Sequence, residues 1–167
     1  MRRRYFFLIC ALLLSVMAGA GVRAASQPDT DGVSVSLPDV EFVVYQFQDP
    51  YQGLITQPAE PDAQKRYVGA EVAVINHSYF PVSVNLNNIR IRDSDGNEYS
   101  AGSVLGEDIR LNARTLAELD LARGWVWFAL PLDAQIDQIV FIPSGFEMRI
   151  SSDQLSIDAT PVATPGI

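Results

Sequence analysis

The chain has 167 residues, 48% of them hydrophobic and one of them a cysteine, with 12 basic against 20 acidic side chains and a net charge of −8. That length gives one domain with a sizeable core and leaves no comfortable room for a second. The acidity repels phosphate backbones and anionic lipid, which disfavours nucleic acid as a partner.

Arg2, Arg3 and Arg4 precede an apolar run from Tyr5 to about Ala20 and a small-residue exit, Val22-Arg23-Ala24. This is the layout of a secretory signal peptide over residues 1–24, cleaved after Ala24. The run is short for a membrane span, which takes about 20 residues, so membrane contact is expected only through an uncleaved leader. Cys10 lies inside the run after Ile9, a poor setting for lipid modification. Without the leader no cysteine remains and eight basic residues face twenty acidic ones. Disulfides are then excluded although an exported compartment permits them, and the core alone must hold the fold.

Residues 25–39 are polar with Pro, Gly and Ser, and read as a flexible segment with a short edge strand at Val33–Leu37. The ordered domain is expected over residues 40–155. Val40–Phe47 is apolar on both faces, with Phe42 and Val44 on one and Val43, Tyr45 and Phe47 on the other. Asp49-Pro50 to Pro61-Asp62 is a Pro/Gln/Gly loop. Arg66–Asn76 alternates, placing Val68, Ala70, Val72 and Val74 on one face. Val82, Val84 and Leu86 alternate likewise, as do Ile89 and Ile91. Asp95-Gly96 predicts a type I′ turn between Ile89–Asp93 and Glu98–Ala101. Leu105–Leu121 reads as loop plus strand, Gly124–Leu130 as a strand stopped by Pro131. Gln138–Ile142 and Phe146–Ile150 complete the set around Pro143-Ser144-Gly145. Residues 156–167 are Pro/Thr-rich and expected to be disordered. The pattern predicts an all-β, immunoglobulin-like antiparallel β-sandwich of seven to nine short strands without a disulfide.

Several segments together carry a resemblance. They are Val72–Asn76 ending in a polar turn, the extended Pro81–Leu86, Ile89–Asp93 leading to Asp95, Gly96 and Tyr99, and the Gly-Trp-Val-x-Phe-x-x-Pro strand Gly124–Pro131. In this order they resemble the bacterial telokin-like, immunoglobulin-fold domain of unknown function, over about Tyr67 to Phe141. That family includes secreted and surface-attached proteins, among them a mycobacterial immunoprotective extracellular protein. The resemblance implies an exported β-sandwich and no known active site. Ala122-Arg123 stands where the family usually has Pro-Gly.

Asp93, Asp95 and Asn97 around Gly96 offer hard oxygen ligands to calcium, but EF-hand spacing is missing and these residues also suit a tight hairpin. Trp125 and Trp127, two apart in a strand, share a face opposite Val126, Phe128 and Leu130. They form either a platform for a sugar, aromatic group or protein, or a surface covered by a neighbouring strand, the Asp49–Gln64 loop or the N-terminal segment. His77 is the only histidine and reads as a solvated turn residue, because no Cys or Gly-x-Ser-x-Gly motif joins it. Asn76-His77-Ser78 also matches a glycosylation acceptor. Arg90 and Arg92 share an outward face that favours pairing with Glu98 over anion binding. Asp39, Glu41, Asp108 and Asp120 show no acid–base spacing.

The sequence therefore predicts a secreted, non-catalytic module without cofactor that binds an unknown protein or small ligand, with Trp125 and Trp127 as the candidate face. An accessory subunit pairing through an edge strand is the alternative. A hydrolase with an unrecognised site is the remote one.

Overall fold

The Arg66–Asn76 and Gly124–Leu130 alternations meet in one ladder. In the computed structural model, which describes residues 32–55, 64–106 and 109–155, β3 (Lys65–Asn76) pairs antiparallel with β9 (Leu121–Pro131), from Lys65 opposite Pro131 to Ile75 opposite Leu121. Val68, Ala70, Val72 and Val74 of β3 are fully buried, as are Val126, Phe128 and Leu130 of β9. The pleat turns all seven to one side.

β2 (Val40–Gln48) lies on the other flank of β3, with a register shift between Val44 and Gln46. This bulge corrects the two-face reading of Val40–Phe47. One extra residue at Tyr45 flips the parity, so Phe47 joins Val40, Phe42 and Val44 in the core. Beyond β2, β1 (Val33–Leu37) pairs from Val33 opposite Val44 to Leu37 opposite Val40. Val33, Val35 and Leu37 pack on the core. The sandwich thus includes β1, and the boundary expected at residue 40 moves back to Val33. The expected leader (1–24) and C-terminal tail (156–167) lie outside the described residues.

β4 (Val82–Val84) pairs only with β8 (Arg114–Leu116). Leu86 departs from the expected alternation, because Leu86–Asn88 is a 3₁₀ turn that swings the chain into the second sheet. There β5 (Ile89–Asp93) lies between β6 (Glu98–Ser100) and β10 (Ile136–Phe141), with β11 (Met148–Ser151) beyond β10. At Ala101, whose N–H donates to the Ile89 carbonyl, the chain leaves β6 and crosses to the first sheet. There β7 (Gly102–Ser103) pairs with Trp127 and Val126 of β9. This crossing closes one side of the sandwich, and β1 and β11 lie side by side on the other. Phe42 and Phe141 stack across the interior, ring centroids 5.3 Å apart. Among the described residues the all-β sandwich comprises eleven strand segments, several of two or three residues.

The Asp95-Gly96 hairpin forms, but not by the expected type I′ turn. That turn needs two left-handed residues, and only Gly96 has a positive φ (85°). Gly96 N–H donates to the Asp93 carbonyl and Asp93 N–H to the Asn97 carbonyl, a three-residue loop with Gly96 in the left-handed position.

The turn after β1, the β3–β4 and β10–β11 connections and the turn before β9 gather at one end of the sandwich. β1 runs toward that end and β11 away from it, so the described chain enters and leaves at the opposite end. Phe128 is fully buried in the core. Phe128→Ala is expected to lower the free energy of unfolding in urea by about 3–5 kcal/mol with an unchanged m-value.

Candidate functional site

Three surfaces carry the residues singled out from the sequence. On the outer face of the first sheet, β9 presents Arg123, Trp125 and Trp127 beside Tyr67 and Glu71 of β3. Both indoles are half-buried. Tyr51, from the loop after β2, lies 5.4 Å from Trp125 between ring centroids, and Tyr67 meets Trp127 edge-on at 5.5 Å. Trp127 Nε1 donates to the Ser103 carbonyl at 2.9 Å. Two glycines make this packing possible. A Cβ on Gly69 would fall 2.1 Å from the Tyr51 ring, and one on Gly102 would fall 2.3 Å from the Trp127 indole. Arg123 completes the face, its guanidinium 3.8 Å from the Tyr45 ring centroid and bonded to Glu71. Trp125 and Trp127 thus belong to an outer packed layer, with ring surface already taken up by tyrosines, and are not an open platform. Burial in this layer raises the Tyr51 pKa above its ordinary value.

The second surface is the Asp93 hairpin with the charged ladder beside it. The Asp93 carboxylate accepts the N–H groups of Asp95 (3.1 Å) and Asn97 (2.8 Å), the Asn97 side-chain amide (3.0 Å) and the Tyr99 hydroxyl (2.8 Å). These donors occupy both Asp93 carboxylate oxygens, so Asp93 organises the turn and is not turned toward an ion shared with Asp95 and Asn97. The Asn97 amide holds the Asp93 carboxyl below the ordinary carboxylate range. Burial opposes this, while the Tyr99 hydroxyl and the backbone N–H groups reinforce it. Across the outer face of the second sheet, Glu98 bonds both Arg90 and Arg92, and Glu147 bonds Arg92 and Arg149. These contacts hold the Glu98 carboxyl down through Arg92 and then Arg90, and the Glu147 carboxyl down through Arg92 and then Arg149. The guanidiniums are engaged internally and offer no anion site.

The third surface, at the end where the turns gather, was missed from sequence. Its organiser is Asn76, fully buried at the last position of β3. Its amide nitrogen lies 2.8, 3.1 and 3.0 Å from the carbonyls of Phe80, Leu116 and Ala117. Its Oδ1 accepts the Ser78 N–H at 2.9 Å, an Asx turn. Its backbone N–H donates to the Asp120 carbonyl and its carbonyl accepts from Leu119. One side chain therefore ties the turn after β3 to the turn before β9. The Asn-x-Ser spelling is the signal of an Asx turn here, and the locked nitrogen is no accessible glycosylation acceptor. His77 projects outward, with Nε2 3.2 Å from Glu41.

Apolar side chains held by this scaffold stand in solvent. Tyr79 is 86% exposed, Phe80 78% and Phe146 69%. Leu119, 75% exposed, sits at φ 58°, a left-handed conformation that costs a branched residue about 1–2 kcal/mol. Between the turns opens a cavity of about 370 Å³, lined by Leu37 and Asp39, Phe80 and Pro81, and Pro143 and Phe146 among others. Asp39 is its only titratable lining residue, and the carboxylate has no partner among the described residues. Among the described residues no three His, Cys, Asp or Glu side chains approach closely enough to share a metal ion. Asp120 pairs with Arg114, and Asp108 lies outside the described residues.

Two packed antiparallel sheets define an immunoglobulin-like β-sandwich class. The chain belongs to the family described as Domain of unknown function (DUF4352), whose model matches residues 31–149. The resemblance read from the Asp95-Gly96 hairpin and the Gly124–Pro131 strand therefore holds. No curated protein matches the chain. Among solved structures it is similar to ycdA, a candidate lipoprotein of Bacillus subtilis, at 12% identity and TM-score 0.57 over 72% of this chain. It spans only 38% of that chain. The yjhA protein of B. subtilis matches at 16% identity and TM-score 0.53, over 66% of this chain and 79% of that one. The secreted protein MPT63 of Mycobacterium tuberculosis matches at 14% and 0.52, over 70% and 88%. At these identities the likeness is one of fold.

Asn76→Ala is expected to cost about 2–3 kcal/mol in urea unfolding, because it leaves buried carbonyls unpaired. Asn76→Asp, which aims an acceptor at them, costs at least as much, and a change within error for both would remove Asn76 as the organiser. The lowered Asp93 carboxyl stabilises the fold above the ordinary carboxylate pKa, and that contribution is lost as pH falls through the folded-state value. Tm should therefore drop below about pH 4, and less steeply in Asp93→Asn. Parallel acid limbs for the two proteins would contradict the assignment.

Proposed function

We propose that the chain is an exported, non-catalytic binding module, and that it binds through the apolar groove between the turns organised by Asn76. The observation carrying this reading is the pair Phe80 and Phe146, more than two-thirds exposed on either side of a 370 Å³ opening. Large apolar side chains grouped on a rigid rim are an interaction surface by default. Export rests on the leader-like order of residues 1–24. Asp39 is the only titratable residue lining the groove, so neither it nor the hydroxyls of Ser78 and Ser144 have an acid–base partner there, which favours binding over catalysis. Edge-strand pairing has less to work with, since β1 and β11 abut and the Ala101 crossing closes the other side.

The test is titration of ¹⁵N-labelled protein with benzyl alcohol, a neutral aromatic probe. Saturable shifts are expected at Val40, Phe80, Val82 and Phe146, and are lost in the Phe80→Ser/Phe146→Ser double variant. Shifts centred on Trp125 and Trp127, or spread over the surface without saturating, would overturn the groove as the site.

A further inference from the structure

The groove's charge selects its occupant. Of the acidic groups at this end, Glu41 is taken by His77 and Asp120 by Arg114. Asp39 on the groove wall and exposed Glu118 on the neighbouring turn have no partner among the described residues. No basic side chain lines the opening. The uncompensated charge is therefore negative, set against walls of Phe, Pro, Leu and Val, within a chain of net charge −8. From this we infer that the groove takes a basic, apolar segment of another polypeptide, one whose aliphatic or aromatic side chains enter the cavity while a Lys or Arg reaches Asp39. This rests on the groove being the binding site.

The volume agrees with that occupant. At about 370 Å³ the cavity is at the small end of ligand sites, enough for one or two side chains of a segment lying across the rim. A second copy of this chain fits poorly. A two-fold contact uses the same patch on both subunits, so it would gather the unpaired Asp39 and Glu118 of both copies into one interface with no added basic group from the groove. An anionic lipid surface is repelled by the same two carboxylates.

Three peptides decide it: a six-residue Leu/Phe peptide alternating with Lys, and its counterparts with Gln and with Glu in the Lys positions. Titrated against the ¹⁵N-labelled protein at low ionic strength, the Lys peptide should shift the groove amides and bind about three- to fivefold tighter than the Gln peptide, the reach of a partly exposed ion pair. The Glu peptide should bind most weakly. The Lys preference should vanish in Asp39→Asn, whose exposed side chain leaves Tm unchanged, and shrink at about 0.5 M salt. Equal binding of the Lys and Gln peptides, or a preference that survives Asp39→Asn, overturns the inference. So does saturable binding to phosphatidylcholine/phosphatidylglycerol vesicles that the Phe80→Ser/Phe146→Ser variant abolishes. If benzyl alcohol still maps to the groove, only the choice of occupant has failed. If neither probe does, the proposed site has failed as well.

Discussion

Everything in this sandwich is referred to the pairing of β3 with β9. Eleven registered residue pairs put valine, alanine, phenylalanine and leucine on one side of the sheet, and tyrosine, tryptophan, arginine and glutamate on the other. A slip of one residue would exchange those faces. The same register delivers Asn76 to the end of β3 beside the start of β9, where its amide can reach carbonyls on both flanking turns. The core, the outer aromatic layer and the apolar end are three results of one alignment.

The surfaces divide accordingly. On the second sheet, Arg90, Arg92 and Arg149 are laced to Glu98 and Glu147, and the buried Val140 of β10 lies opposite Arg90 and Arg149 in the register. That face is wet, charged and self-satisfied. On the first sheet the tryptophans are occupied by Tyr51 and Tyr67. The end built from the turns groups Tyr79, Phe80, Leu119 and Phe146 in water around one opening, and it does so on a framework rigid enough to hold Leu119 left-handed. Placing costly apolar groups on short, hydrogen-bonded turns is how a stable scaffold presents a binding surface.

The strands were legible because alternation is a local property. Val68 to Val74 and Val126 to Leu130 announce their faces without help from the rest of the chain. What stayed hidden depends on partners distant in sequence. The bulge at Tyr45 exists only relative to β3, so the facing of Phe47 was misread. The turn at Gly96 took its shape from the Asp93 carboxylate and not from Asp95-Gly96 alone. Trp125 and Trp127 could be placed on one face and the Asp49–Gln64 loop named among their possible covers, but that Tyr51 of this loop takes Trp125 while Tyr67 of β3 takes Trp127 depends on a loop with no periodicity and on the strand register. Asn76 looked like turn punctuation because the carbonyl of Leu116, forty positions away, gives no sign of its presence in the sequence.

The long ladder also sets the order of events during folding. Its partners are far apart along the chain, Ile75 from Leu121 and Lys65 from Pro131, and closing a loop of that size costs about 3 kcal/mol of chain entropy before any core contact offsets it. The Asp93–Tyr99 hairpin lies inside that loop, needs only neighbours, and closes on the microsecond scale. Formed first, it shortens the effective span between β3 and β9. The docking of these two strands, in the millisecond-to-second range of β-sandwiches, is then the event that completes the molecule.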